Sequence, residues 1–184
     1  MRFLHSADWH LGRTLHGTSL LEDQTWVLDE FVRLAAEVRP HAVLLAGDIF
    51  DRAVPPVAAV RLLDSVLTRL VRELGIAVVM IAGNHDGPDR LAFGAELLSG
   101  SGLTVRGALD DGDPVLLHDE HGAVAIHALP FADPLLARAA FSAEGEAAAE
   151  IASHQAALAL QIARARRRQP AGARSVVLAH AFVA

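Results

Sequence analysis

Four short runs of acidic, amide and imidazole residues have the makings of a metal centre: Asp8-Trp9-His10, Gly47-Asp48-Ile49-Phe50-Asp51, Gly83-Asn84-His85-Asp86, and a later histidine, His180. In an extended chain residues two apart point to the same side, so Asp8 and His10 can converge on one cation. Asp48 offers two oxygens, enough to bridge two divalent ions roughly 3.5–4 Å apart. Asn84 gives a neutral amide oxygen to the second ion. A donor set mixing imidazole, carboxylate and amide suits manganese first, then iron, with zinc left open, and suits magnesium poorly. Paired ions of this kind activate water for in-line attack on a phosphate ester. His85 follows Asn84 directly and is expected beside the ions, facing the leaving oxygen. The Asp51 carboxylate is its expected partner, orienting the ring and favouring the imidazolium that protonates a departing alkoxide.

Taken singly, each run has an ordinary explanation. Asp-x-His is a weak motif. Gly-Asp and Gly-Asn after a strand are common turn sequences, because these residues tolerate the required dihedrals. A lone histidine at a strand end usually makes a plain hydrogen bond. Independent turns, however, have no reason to present this ordered set of ligand types after successive strands.

The scaffold expected to position them alternates short apolar runs with helical patterns, as βα units do. Strands are predicted at residues 2–7, 42–46, 76–81 and 175–179, with a hairpin pairing 115–118 and 123–129. A helix capped by Thr18 or Ser19 is predicted to about Glu37. A second is opened by Pro55-Pro56 and stopped by Gly75, and a short one spans about 89–98. Loops are expected at 100–102 and 110–114. A long helix over about 144–168 would carry Glu144, Glu146 and Glu150 at its start and Arg164, Arg166, Arg167 and Arg168 at its end, matching its dipole. All four ligand runs then fall beyond the carboxyl ends of strands, where open α/β sheets collect ligands.

Composition sets the outer bounds. With 184 residues and 52% hydrophobic content the chain can bury a substantial core, so disorder is not expected. It has no cysteine, which excludes disulfides and thiolate zinc sites. All 16 basic residues are arginine against 22 acids, a net charge of −6, so any nucleic-acid contact must come from local patches or metals. Arg13, His16 and Arg52, in loops beside the motifs, are the candidates for gripping DNA; the arginines of 164–168 read as a solvated helix end. His5, His41, His118, His121, His127 and His154 lack a ligand context, and Trp9 and Trp26 read as packing residues. No apolar stretch has the length of a signal peptide or a membrane span, and a cytoplasmic location is expected.

Asp-x-His, Gly-Asp-x-x-Asp, Gly-Asn-His-Asp and the later histidine together resemble the calcineurin-like metallophosphoesterase family. The fuller wording, Leu4-His5-Ser6-Ala7-Asp8-Trp9-His10-Leu11-Gly12, Ala46-Gly47-Asp48-Ile49-Phe50-Asp51-Arg52 and His180-Ala181-Phe182-Val183, is similar along the whole chain to its bacterial SbcD nuclease branch. The resemblance implies a layered α/β sandwich of mixed sheets flanked by helices. It implies a manganese-dependent DNA exonuclease and endonuclease that works with an SbcC-type ATPase in DNA repair. Asp8, His10 and Asp48 would hold one ion, Asp48, Asn84 and His180 the other, and His85 with Asp51 would serve catalysis. It also implies a homodimer through helices near 56–74 and 89–98. Leu62, Leu63, Val66, Leu70, Phe93, Leu97 and Leu98 are candidates for that surface, although their spacing equally suits a core. Family members continue into a Gly-His-x-His segment, a DNA-capping domain and an ATPase-binding region. Residues 1–184 are accordingly expected to be one phosphoesterase domain, incomplete at its C-terminus and with both ions weakened. The competing expectations are a small-molecule phosphoesterase, such as a cyclic-nucleotide phosphodiesterase, and a catalytically silent dimerisation or binding fragment.

Overall fold

A computed structural model describes residues 1–109 and 112–182. Asp110 and Asp111 of the expected 110–114 loop, and Val183 of the last motif, lie outside the described residues. The chain opens with β1 (Phe3–Ser6), a small hairpin of β2 (Thr14–Leu15) and β3 (Thr18–Ser19), and α1 (Leu21–Val38). β4 (Ala42–Ala46) leads into α2 (Val57–Thr68), which runs on through a π-helical turn at Arg69–Glu73. β5 (Ala77–Ile81), α3 (Pro88–Leu91), α4 (Ala95–Ser99) and β6 (Leu103–Arg106) follow. The remainder comprises β7 (Val115–Asp119), β8 (Gly122–Leu129), α5 (Pro134–Ala140), a 3-10 turn at Ser142–Glu144, α6 (Glu146–Ala149), α7 (His154–Arg167) and β9 (Arg174–Ala179).

β1, β4, β5 and β6 form a parallel sheet in the order β1-β4-β5-β6, and β7, β8 and β9 a mixed one in the order β7-β8-β9. All five residues of β4 are buried because both faces of its sheet are covered. Val43 and Leu45 face the helices, packing with Leu28 and Val32 of α1 and Leu63 and Val66 of α2. Ala42, Leu44 and Ala46 face the other sheet, packing with Ile126 and Leu178. The expected α/β sandwich of mixed sheets flanked by helices is thus realised, and its parallel strands deliver their carboxyl ends to one rim. Among the described residues no helix is long and apolar enough to cross a membrane.

Several local expectations are corrected. Thr18 and Ser19 do not begin a helix but pair with Leu15 and Thr14, and Ser19 Oγ accepts the Leu21 N–H at 3.3 Å. The short helix of 89–98 is two helices, parted by Gly94 in the left-handed region at φ +74°. β6 has no counterpart among the predicted strands: four residues, alternately buried and half-buried, pair with 78–81 of β5. The long helix of 144–168 is broken. Gly145 takes φ +61° and ψ −126°, Ile151 turns into the core, and Ser153 starts a new helix by accepting the Ala156 N–H at 3.1 Å. The acidic start and basic end therefore share no single dipole; instead Glu144 folds back to bond Arg164 and Arg167. α5 is likewise absent from the predicted helices, although Asp133-Pro134 is a helix start, with Asp133 Oδ1 accepting the Leu135 and Leu136 N–H groups at 2.9 and 3.2 Å. Trp26, expected to pack, is exposed.

The second sheet is tied at one end by Asp119, which accepts from the Arg174 guanidinium, the Met1 ammonium and the His121 N–H. The Arg174 bond first, then the ammonium, hold its carboxyl well below the usual carboxylate range. A carboxyl depressed on folding contributes stability that is fully present above its unfolded value of about 3.9 and is lost as pH falls through the lower folded value. Asp119→Asn is therefore expected to lower Tm at pH 7 and to shrink the wild-type advantage progressively below about pH 4. Circular-dichroism melts from pH 7 to pH 2 check this. A difference that stays constant over that range counts against it.

Candidate metal centre

Beyond β1 the chain runs beside the segment that leaves β4. The Asp8 N–H donates to the Gly47 carbonyl (3.1 Å), His10 N–H to Asp48 (2.9 Å) and Leu11 N–H to Ile49 (2.9 Å). Asp8, His10 and Asp48 all take left-handed backbone, at φ 57°, 44° and 50°. Such conformations are costly for residues with a Cβ and concentrate where the surroundings force a side chain toward a particular point. Asp48 is only 3% exposed. Gly83 lies so close to it that a Cβ there would sit 2.1 Å from Asp48 Oδ1, and Gly47, at φ +85°, leaves room in the same way for the His180 ring. Glycine is required at both positions.

Asp86, assigned no role from the sequence, ties these turns together. Its carboxylate is buried and accepts three main-chain N–H groups, from Ile49 (3.1 Å), Phe50 (2.8 Å) and Gly83 (2.8 Å). The His85 N–H in turn donates to Asp48 Oδ1 at 2.9 Å. The third motif thereby fixes the second.

Two groups of ligand atoms share Asp48. His10 Nε2 lies 3.8 Å from Asp8 Oδ1 and 3.6 Å from Asp48 Oδ2, and these three residues can offer ligand atoms all within 4.8 Å of one another. On the other side, His180 Nδ1 lies 2.7 Å from the Ala46 carbonyl oxygen, which can only accept. The ring proton therefore belongs on Nδ1, and a neutral His180 keeps its Nε2 lone pair free. That lone pair faces Asn84 Oδ1 at 3.0 Å and Asp48 Oδ1 at 3.6 Å. With the ring proton on Nδ1, all three atoms offer electron pairs toward one point, a donor set that fits a cation. His5, Asp8, Asp48, Asn84, His85 and His180 together line an open cleft of about 490 Å³.

The role expected of Asp51 divides in two. His85 Nδ1 meets the main-chain carbonyl oxygen of Asp51 at 2.9 Å, not its carboxylate. The carboxylate lies with Oδ1 3.7 Å from His10 Nδ1, a buried ring atom with no hydrogen-bond partner among the described residues, and Asp51, His10 and His85 can offer ligand atoms within 4.8 Å of one another. The two imidazoles stand edge to face, ring centroids 4.8 Å apart.

Other expectations are placed as follows. Arg13, His16 and Arg52 are all exposed. Leu63, Val66 and Leu70 belong to the core and Leu62 is half-buried, whereas Phe93 and Leu97 are 87% and 88% exposed. Trp9 packs edge-on against Phe31 and donates to Ser6 Oγ at 2.8 Å, as a packing residue should. His127 is buried against Gln169. His5, set aside from the sequence, lines the cleft. Gln24, unremarked in the sequence, bonds the loop that carries His10. A larger cavity of about 690 Å³ lies between α4 and β6, away from every one of these ligands.

Comparison with known proteins bears on the same residues. The profile of the calcineurin-like phosphoesterase family matches residues 1–138, which takes in the first three motifs and leaves His180 to the geometry. The chain is also similar to the SbcD component of the nuclease SbcCD from Staphylococcus saprophyticus subsp. saprophyticus, with 39% identity over 133 residues, 72% of this chain. The matched part is 34% of that relative, so the chain spans about a third of its length.

Proposed function

Since the chain belongs to the calcineurin-like phosphoesterase family, we propose that it carries the nuclease centre of an SbcCD-type DNA repair complex. In this reading it hydrolyses phosphodiester bonds with two divalent ions, manganese first. Asp8, His10 and Asp48 hold one ion, and Asp48, Asn84 and His180 the other. The observation that supports this is the division of the Asp48 carboxylate, with Oδ2 3.6 Å from His10 Nε2 and Oδ1 3.6 Å from His180 Nε2. The relative's name, a nuclease, supports DNA over a cyclic nucleotide as substrate.

When bound, such ions lower the pKa of water and neutralise phosphate charge. The protein's own groups do the rest. His85, with Nδ1 on the Asp51 carbonyl, keeps Nε2 for substrate and donates a proton to the leaving oxygen when charged. The Asp51 carboxylate orients His10 from behind, as carboxylates commonly orient metal-binding imidazoles. Arg13, His16 and Arg52 meet the DNA backbone from their exposed loops. Residues 1–184 act as one phosphoesterase unit in the cytoplasm. It pairs with an SbcC-type ATPase and forms a homodimer in which the exposed Phe93 and Leu97 are covered.

The test uses the protein that carries this chain. Linear double-stranded DNA is expected to be cut only with manganese present. His85→Ala should lower the rate by roughly 10²–10⁴-fold with both ions still bound. A wild-type rate in that variant rejects the role of His85, and turnover of cyclic nucleotides in place of DNA rejects the nuclease assignment.

A further inference from the structure

Gln24 stands in the first turn of α1, outside all four motifs, and is half-buried. Its side-chain amide bonds the main chain of a single loop three times. Nε2 donates to the carbonyl oxygens of Trp9 (3.0 Å) and His10 (2.8 Å), and Oε1 accepts the Gly12 N–H (3.0 Å). Both amide hydrogens and the amide oxygen are thus engaged, and the reverse orientation would set oxygen against two carbonyls.

This loop has particular need of restraint. Within five residues Asp8, His10 and Gly12 take φ of 57°, 44° and 87°. Asp8 and His10 are the two residues of the first ligand group that β1 delivers. The support behind Gln24 is firm, because Leu28 and Val32 of the same helix are buried in the core. Gln24 accordingly transmits the position of a docked helix to the backbone from which two ligand side chains project.

We propose, resting on the two-ion reading above, that Gln24 is a positioning residue for the cation site of Asp8 and His10. It contacts no ligand atom; it acts by fixing their main chain. Removal of such outer-shell partners characteristically weakens metal binding by roughly 10–100-fold. Gln24→Met keeps the length of the side chain and none of its hydrogen bonds. Gln24→Glu keeps an acceptor for Gly12 but turns the donor toward Trp9 and His10 into a second acceptor.

Manganese alone is titrated by calorimetry into the protein that carries this chain, as wild type, as both Gln24 variants, and as Val32→Ala, which hollows the core beneath the same helix without touching the loop. The expected result is a loss of at least roughly tenfold in affinity for the ion at Asp8 and His10 in both Gln24 variants. The ion at Asn84 and His180 should be unaffected, and Val32→Ala should bind both ions normally despite a lower Tm. In the metal-free chain, hydrogen exchange at the Gly12 amide should quicken roughly tenfold in Gln24→Met. Unchanged affinity in the Gln24 variants, or an equal loss in Val32→Ala, overturns the proposal. A wild-type protein that binds no manganese defeats the two-ion reading instead, and the exchange comparison then decides alone: an unaltered Gly12 rate overturns the role of Gln24.

Discussion

Asp48→Ala is expected to abolish binding of both ions together, whereas Asn84→Ala should weaken only one. Asp48 Oδ2 belongs with His10 and Asp8, and Oδ1 with His180 and Asn84. Its loss leaves each group with two donors from the chain. The same substitution strips the His85 N–H of its 2.9 Å acceptor, so the backbone of the third motif loosens as well. Losing an outer-shell partner typically costs up to roughly 100-fold in affinity, and losing a bridging ligand should exceed that at both sites. Calorimetric titration with manganese resolves the outcome. Retention of one ion at wild-type affinity would show that Asp48 serves a single site.

The largest effect on folding is expected from Gly83→Ala. The added methyl would lie 2.1 Å from Asp48 Oδ1 and 2.2 Å from Asp48 N, far inside the roughly 3.5–4.0 Å of an ordinary carbon contact. Neither atom can step aside. One is backbone, and the other belongs to a buried carboxylate already bonded to the His85 N–H. The segments after β4 and β5 must separate, which also strains the Gly83 bond to Asp86. Overpacking costs about 1–3 kcal/mol and each buried group left unpaired about 1–3 kcal/mol more. A loss on the order of 3 kcal/mol or greater should therefore appear in urea denaturation, together with impaired manganese binding. A change under about 1 kcal/mol would mean that the turns have more slack than their geometry implies.

The convergence of the four motifs was legible in the sequence because each places its polar residues where an apolar run ends, and the ends of parallel strands gather at one rim. The buried strands β4 and β5 were equally plain, being continuous apolar runs. Gln24 and the role of Asp86 were not legible. Both act on main-chain groups of distant segments, and a side chain that bonds backbone needs no particular residue type opposite it. Asp51 shows the same limit within one residue, since pairing by residue type cannot tell its carbonyl from its carboxylate. β6 is too brief for its alternation to register. The break in the predicted long helix was signalled by Gly145 and Ser153, but a strong run of helix-forming residues on either side masked both.

The bond from His180 to the Ala46 carbonyl joins residues 134 positions apart, while His10 reaches Asp48 across a far shorter stretch. On a ribosome adding about 5–20 residues per second, the two ends of that longer span are synthesised on the order of 10 s apart. The Asp8–His10 group can thus assemble while the Asn84 group still lacks its imidazole. On the two-ion reading, a nascent polypeptide would offer its first cation site before its second was complete.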